Sequence, residues 1–266
     1  MTRISQAFAK ARGEDRAAFI PYLTAGDPSA ATTVRLACAL EQAGADVIEL
    51  GVPFSDPIAD GPVLQRSAQR ALRSGTTFGG VLRVARRIRR ETGLPLLLFT
   101  YANPLLRYGI RRAAIEAAAA GVSGILVTDL PPEEARPVRG PLRRAGLDTV
   151  FLVAPSSSED RMARAASLSS GFLYVVSRAG TTGVRDGLPA DLSRTVGRAR
   201  RAAGKLPIAV GFGIASPDAA SAAARLADGV VVGSALVAAM ERSRTDPVRA
   251  VSRLARAMAR SCHRER

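Results

Sequence analysis

Asp46-Val47-Ile48-Glu49-Leu50-Gly51-Val52-Pro53-Phe54-Ser55-Asp56-Pro57-Ile58-Ala59-Asp60-Gly61-Pro62 is the stretch on which the reading of this chain turns. The apolar run 47–50 is broken only by Glu49, and a carboxylate there is costly to bury unless a partner or a shifted pKa relieves it. The loop that follows carries prolines, glycines and two further acids. Proline fixes φ and glycine admits positive φ, so this loop is expected to be shaped rather than slack. The pattern is an acid at a strand's end, followed by a stiff loop that delivers Asp56 and Asp60. Two readings stand at this point: a functional acid, or Glu49 paired with an arginine beside an acidic turn.

Outward from this stretch the same design recurs. Short apolar runs predict strands at 18–24, 47–50, 96–100, 124–128, 149–153, 172–176, 207–210 and 229–232. Helical spacing fills the intervals at 62–73, 78–91, 111–120, 158–168, 191–203 and 217–226, and Pro131-Pro132-Glu133-Glu134 opens one more helix. Ser29 or Asp27 is placed to cap the helix after the first strand. Strands that are apolar throughout are covered on both faces. Eight strand–helix alternations within 266 residues point to an α/β fold, a single (β/α)8 barrel of the triosephosphate-isomerase (TIM) type. A doubly wound open sheet is the alternative. No linker or composition break marks a second domain. Residues 1–266 therefore read as one domain, with the barrel over about 17–245, a short N-terminal helix and an extra C-terminal helix.

Composition narrows the chemistry. The two cysteines, Cys38 and Cys262, make neither a metal-ligand spacing nor a disulfide framework. Cys262 and the only histidine, His263, are expected in a C-terminal tail. A Ser/His/Asp triad, a Cys/His pair and a His-rich zinc site are thereby excluded, and no metal is expected. No apolar run approaches the roughly 18 residues that span a bilayer, and the N-terminus lacks a signal-peptide core, so no membrane role and a cytoplasmic location are expected. The balance of 38 basic and 23 acidic residues gives a formal charge of +15. Arg83, Arg86, Arg87 and Arg90 lie opposite Phe78, Val81, Leu82, Ala85 and Ile88, and Arg249, Arg253, Arg256 and Arg260 lie opposite Val248, Val251, Leu254, Ala255 and Met258. These are solvated faces of amphipathic helices. With no basic–aromatic interleaving, no nucleic-acid partner is expected.

In such barrels the active site lies at the C-terminal ends of the strands. Glu49 ends the second strand and Asp60 lies in the loop after it; Thr24, Tyr101, Asn103 and Asp129 also sit just past strand ends. A second group follows strands six to eight: the loop Ser177-Arg178-Ala179-Gly180-Thr181-Thr182-Gly183-Val184-Arg185-Asp186-Gly187, then Gly211-Phe212-Gly213, then Gly233-Ser234 at a helix start. Glycines and open helix N-termini let a phosphate approach, and barrels often hold one there. Each alone is an ordinary turn; together they predict a phosphate site.

These pieces resemble the tryptophan synthase α-chain family. The matching segments are Phe19-Ile20-Pro21-Tyr22-Leu23-Thr24-Ala25-Gly26-Asp27-Pro28, the run 49–65, Tyr101-Ala102-Asn103-Pro104, Asp129-Leu130-Pro131-Pro132-Glu133-Glu134, Thr181-Thr182-Gly183, Gly211-Phe212-Gly213-Ile214 and Gly233-Ser234. They follow the family's order over nearly the whole chain. Thr128 departs from the proline that many members carry, and the charge is unusually basic. The resemblance implies retro-aldol cleavage of indole-3-glycerol phosphate to indole and glyceraldehyde 3-phosphate, a lyase step in tryptophan biosynthesis. It implies Glu49 as general acid at indole C3 and Asp60 as the carboxylate on the indole N–H. Gly183, Gly213, Gly233 and Ser234 would cradle the phosphate. Tyr22, Thr100, Tyr174, Thr182 and Phe212 would wall the indole, although Tyr22 and Tyr174 read equally well as barrel core. Asp56, Pro57 and Asn103 would touch a partner β chain in an α2β2 complex. The resemblance implies no cofactor for this chain, since pyridoxal phosphate belongs to that partner. A stand-alone lyase releasing free indole, and a non-catalytic phosphate-binding or β-chain-activating protein, are the alternatives.

Overall fold

The computed structural model describes residues 1–177, 188–243 and 245–263. The first half runs α1 (Arg3–Gly13), β1 (Ala18–Thr24), α2 (Ala30–Gln42), β2 (Ile48–Gly51), α3 (Pro62–Arg73), α4 (Phe78–Glu91), β3 (Leu96–Thr100), α5 (Ala102–Tyr108), α6 (Ile110–Ala119) and β4 (Gly124–Val127). A 3-10 turn (Pro132–Glu134) leads into α7 (Arg136–Arg144). Then come β5 (Asp148–Val150), β6 (Leu152–Val153), α8 (Glu159–Leu168), β7 (Leu173–Val176), α9 (Leu192–Ala203), β8 (Ile208–Gly211), α10 (Pro217–Ala224), β9 (Gly229–Val232), α11 (Ser234–Arg242) and α12 (Pro247–Cys262).

All the strand pairings are parallel, in the order β5-β4-β3-β2-β1-β9-β8-β7-β6. The predicted fifth strand is split at Phe151. Its first part pairs with β4 and its second with β7, so the chain itself carries the sheet across the seam and nearly closes the barrel. The Tyr174 N–H donates to the Phe151 carbonyl at 3.1 Å, and the Phe151 N–H donates to Ser169 Oγ at 3.2 Å. Every residue of β1, β2, β3, β4, β7, β8 and β9 is buried, as strands covered on both faces require. Most helices fall where helical spacing placed them. The helix expected to open at Pro131-Pro132-Glu133-Glu134 begins as the 3-10 turn and continues as α7, and the addition is α5, too short for a periodic signal to declare.

The N-terminal mouth is plugged by α1. Ile4 and Phe8 are buried, Phe8 packs against Phe172 at 5.2 Å, and a β-carbon on Gly229 would lie 2.8 Å from the Phe8 ring. The opposite mouth is left to the βα loops. Cys262 and His263 do not form the expected tail. Cys262 is fully buried at the end of α12, and His263 Nε2 lies 3.5 Å from Asp46 Oδ2. Asp46 also accepts both terminal nitrogens of Arg16, at 2.7 and 2.8 Å, and the Phe19 N–H at 2.8 Å. This cluster locks the C-terminal helix to the strand that opens the barrel. The apolar face of α12 marks the helix, but the partner of His263, the residue after it, lies more than two hundred positions earlier, beyond any local signal.

Candidate active site

Glu49 sits in the middle of β2, 2% exposed, paired in register with Tyr22 on one side and Leu97 on the other. Residues paired across parallel strands share a face, so these side chains point inward together. No arginine reaches Glu49 among the described residues, and its Oε1 is buried with no hydrogen-bond partner. Among the described residues nothing supports the ion-pair reading of this acid. Burial, and then the nearby charge of Asp60, push its pKa up from the ordinary 4.5 to about 8.

Asp60 is delivered by the loop between β2 and α3 and is 5% exposed. Its backbone is fixed from within α3, where the Gln65 side-chain amide donates to the Asp60 carbonyl at 2.8 Å. The Tyr101 hydroxyl accepts the Ala59 N–H at 3.1 Å and hydrogen-bonds the Asp60 side chain, while the Tyr101 ring stacks on Phe54 at 5.3 Å. Burial raises Asp60 to about 6, with the Tyr101 hydrogen bond opposing that rise. One oxygen, Oδ1, is buried and unpaired. Two neighbouring buried acids thus have separated pKa values, one protonated and one ionised at neutral pH.

Beside Glu49 lies a narrow cavity lined by Tyr22, Glu49, Phe99, Tyr174, Phe212 and Ser234 among others. Tyr22 meets Phe99 edge to face at 5.7 Å, and Tyr174 meets Phe212 in the same way at 5.7 Å. Each tyrosine hydroxyl lies over a glycine. A β-carbon on Gly51 would come 2.1 Å from the Tyr22 hydroxyl, and one on Gly211 would come 2.2 Å from the Tyr174 hydroxyl. Phe212 adopts φ +71°, a conformation that costs a non-glycine residue about 1–3 kcal/mol. With Gly213 at φ +85°, this bend presents both residues to the cavity.

Gly233 and Ser234 line the same cavity at the start of α11, and no side chain caps that helix. Its first N–H groups are thus open to an anion. Other helices, such as α2 at Ser29 and α10 at Ser216, are capped by their own hydroxyls. A wider groove along α12 is lined by Arg249, Arg253 and Arg256, but no strand residue borders it.

Of the expected site residues, the structure brings together Tyr22, Glu49, Tyr174, Phe212, Gly213, Gly233 and Ser234 around the cavity, with Asp60 coupled electrostatically to Glu49. Thr100 is buried with its hydroxyl on the Tyr101 carbonyl and does not line the cavity; Phe99, its neighbour, does. Alternation along β3 explains the exchange, since adjacent residues face opposite sides. Asp129 is exposed, and its carboxylate accepts the Ala102 N–H at 2.7 Å, a structural role at the start of α5. Thr128 donates to the Thr100 carbonyl at 3.1 Å. Asp56 and Asn103 are exposed and Pro57 is half-buried, all on the outer rim. Thr182 and Gly183 lie outside the described residues. Sequence reasoning missed Phe99, Leu64 and Val231 as wall and Tyr101 as the partner of Asp60; the alternation of β3 and β9 could have shown that Phe99 and Val231 turn inward, whereas Leu64, in the first turn of α3, carried no such signal. Among the described residues no group of three His, Cys, Asp or Glu side chains could hold a metal ion, and no helix is long and apolar enough to cross a membrane.

A parallel barrel with two buried carboxylates beside an aromatic cavity, ending at an open helix N-terminus, defines a lyase of the acid–base type. Residues 8–264 match the family model described as "Tryptophan synthase alpha chain". The chain is 51% identical over 243 residues to the tryptophan synthase alpha chain of Solibacter usitatus, covering 91% of each protein. It is 48% identical over 242 residues to that of Geobacter sulfurreducens, again covering 91% of each. Among solved structures it resembles Mycobacterium tuberculosis tryptophan synthase with TM-score 0.91 at 37% identity, covering 98% of both chains. It also resembles the Legionella pneumophila alpha chain with TM-score 0.89 at 36% identity, covering 98% of this chain and 97% of the other. The chain belongs to the tryptophan synthase alpha chain family, and its activity is the indole-3-glycerol phosphate lyase step of tryptophan biosynthesis.

Proposed function

We propose that Glu49 and Asp60 cleave indole-3-glycerol phosphate within this cavity. The observation that carries the assignment is the burial of both acids, each with one oxygen unpaired and Glu49 in the cavity wall, which raises Glu49 to about 8 and Asp60 to about 6. Near pH 7 Glu49 holds a proton to give and Asp60 holds a charge to offer. Glu49 protonates indole C3, and the ring nitrogen takes up the positive charge. The Asp60 carboxylate accepts the N1–H hydrogen bond and stabilises that charge. The Glu49 carboxylate then takes the proton of the glycerol C3′ hydroxyl. That oxygen forms the aldehyde C=O, and the electrons of the C3–C3′ bond return to the ring. Indole and glyceraldehyde 3-phosphate leave, and Glu49 is again protonated. The open end of α11 at Gly233 and Ser234, with Gly213, binds the phosphate. Tyr22, Tyr174, Phe99 and Phe212 enclose the indole.

The same proposal makes this chain an α subunit that passes indole to a β chain. Ile58 and Leu106 are 76% and 57% exposed, in the same loop and helix as Asp56, Pro57 and Asn103. Large apolar side chains left in water on a site's rim favour a partner over a stand-alone lyase. Pyridoxal phosphate belongs to that partner. Residues 1–266 form one domain in this reading, and the free thiols Cys38 and Cys262 suit the reducing cytoplasm. The test is indole release by the purified chain with and without a β chain. Slow turnover that rises many-fold with the partner is expected. Fast turnover indifferent to the partner would mean a stand-alone lyase.

A further inference from the structure

We propose that Arg70 is a positioning residue that fixes the distance between the carboxylate end and the phosphate end of the substrate site; the proposal rests on the lyase reading of that site. Arg70 lies on α3, and its guanidinium serves two carboxylates on two other elements. Nε and Nη2 donate to Asp27 at 2.8 and 2.7 Å, and Nη1 donates to Glu241 at 2.8 Å. Glu241, near the end of α11, is also gripped through both oxygens by Arg66, at 2.8 and 2.7 Å. The hydrogen bonds from Arg66 hold the Glu241 carboxyl down at about 2. The Asp27 side chain is fully buried, and that of Arg70 is only 30% exposed, so this clamp is not an ordinary surface pair.

The clamp joins the two helices whose N-termini face the substrate. Asp60 lies two residues before α3, and its carbonyl is held by Gln65 in the first turn of that helix. Gly233 and Ser234 open α11 at the other end of the cavity. Arg70 and Glu241 sit about 10 Å further along their helices. A tie at that level sets the spacing of the two N-termini, much as a crossbar sets the spacing of two posts. A third branch reaches the cavity wall. Ser67 hydrogen-bonds both Asp27 and Thr24, and the Thr24 hydroxyl donates to the Tyr22 hydroxyl at 3.2 Å. One planar cation therefore holds the Asp60 loop, the phosphate helix and the Tyr22 ring in a single frame. A lysine, with one point charge, cannot span both carboxylates in this fork geometry.

The spacing matters only to a ligand that touches both ends, and this separates positioning from general damage. The variants are Arg70→Met and Arg70→Lys, studied well below their melting temperatures. Calorimetry reads the binding of indole-3-glycerol phosphate and of glycerol 3-phosphate, which occupies the phosphate end alone; turnover is read separately as kcat and KM. For Arg70→Met, kcat/KM and affinity for the spanning substrate are expected to fall about ten- to a hundred-fold, the scale of a misplacement of about 1 Å. Affinity for glycerol 3-phosphate is expected to stay within about twofold, as α11 keeps its own N-terminus. Arg70→Lys is expected to restore part of the loss. Unchanged binding and turnover in Arg70→Met would overturn the proposal and leave Arg70 a stability residue. Equal loss of both ligands would also overturn it, since the site itself would have collapsed. Wild-type protein that binds the substrate without cleaving it would instead sink the catalytic reading and leave the spacing test readable by calorimetry.

Discussion

The Tyr22 hydroxyl occupies the space that a β-carbon on Gly51 would need, 2.1 Å from that position. Gly51 has to be glycine because an inward-pointing phenol from the neighbouring strand lies over its backbone, not because its φ demands it. Gly51→Ala is expected to push the Tyr22 ring into the cavity, lowering kcat/KM and stability together; overpacking of this kind costs about 1–3 kcal/mol. Removing the hydroxyl alone would leave ring carbons Cζ and Cε2 2.5 and 2.7 Å from the new β-carbon, so the partner change is Tyr22→Ala, and Gly51→Ala with Tyr22→Ala is expected to cost less than the sum of the two single changes. A double-mutant cycle by denaturant unfolding measures the coupling. Additive effects would show that the two residues do not compete for this space.

Glu49→Gln keeps the shape of the side chain and removes its proton chemistry. Indole formation is expected to vanish while the fold persists. Stability is expected to respond with a definite sign. The folded pKa of Glu49 is raised from 4.5 to about 8, so the native state holds a proton there that the unfolded chain has already released. Wild-type stability is thus intact below about 4.5 and falls as pH rises towards 8. The glutamine variant escapes this loss, so the difference between the two stability–pH curves over that window is the check. Parallel curves would contradict the burial of an unpaired carboxyl.

The pH–rate profile follows from the same two groups. Asp60 has to be ionised and Glu49 protonated, so kcat/KM is expected to rise through about 6, fall through about 8 and peak between them. The acids interact, so the limbs belong to the pair. Asp60→Asn is expected to lose most of the activity. It is also expected to move the alkaline limb downward, because the charge of Asp60 is part of what raises Glu49. An alkaline limb that stays in place would show that burial alone sets the Glu49 value.

At the far end of the barrel, Asp46→Ala is expected to loosen the C-terminal helix without touching chemistry. The change leaves Arg16, only 10% exposed, without its bidentate partner and strands the Phe19 N–H. Breaking a buried pair from one side costs about 3–5 kcal/mol. Burial pushes Asp46 up, but hydrogen bonds from His263, Arg16 and Phe19 outweigh it and hold the group below its ordinary 3.8. Its contribution is therefore present above about 3.8 and lost as pH falls through the lower folded value. Chemical unfolding at neutral and acid pH checks both statements, with kcat at low temperature expected to be unchanged.

Much of this protein is local information. The runs that became β1, β3 and β9 were legible to the residue because a buried strand in a two-sided sheet is written as an unbroken apolar segment. The faces of α3 and α4 were legible because helical spacing separates apolar residues from arginines. Glu49 stood out for the converse reason, as an acid inside an apolar run. Short elements such as α5, the split of the fifth strand at Phe151 and the capping role of Asp129 left no comparable mark.

The sequence by itself determined the order of strands and helices, the address of Glu49 and Asp60 at one mouth of the barrel, and the family resemblance. These depend on neighbours along the chain. Only the tertiary structure decided that Phe99 rather than Thr100 faces the cavity, that Cys262 and His263 dock on Asp46, and that Arg70 joins three elements. It also decided the protonation of the two acids. A pKa near 8 arises because side chains from β1 and β7, distant in sequence, exclude water from Glu49, and the Asp60 charge adds to the rise. Desolvation is a property of everything packed around a group, and no window of sequence contains it.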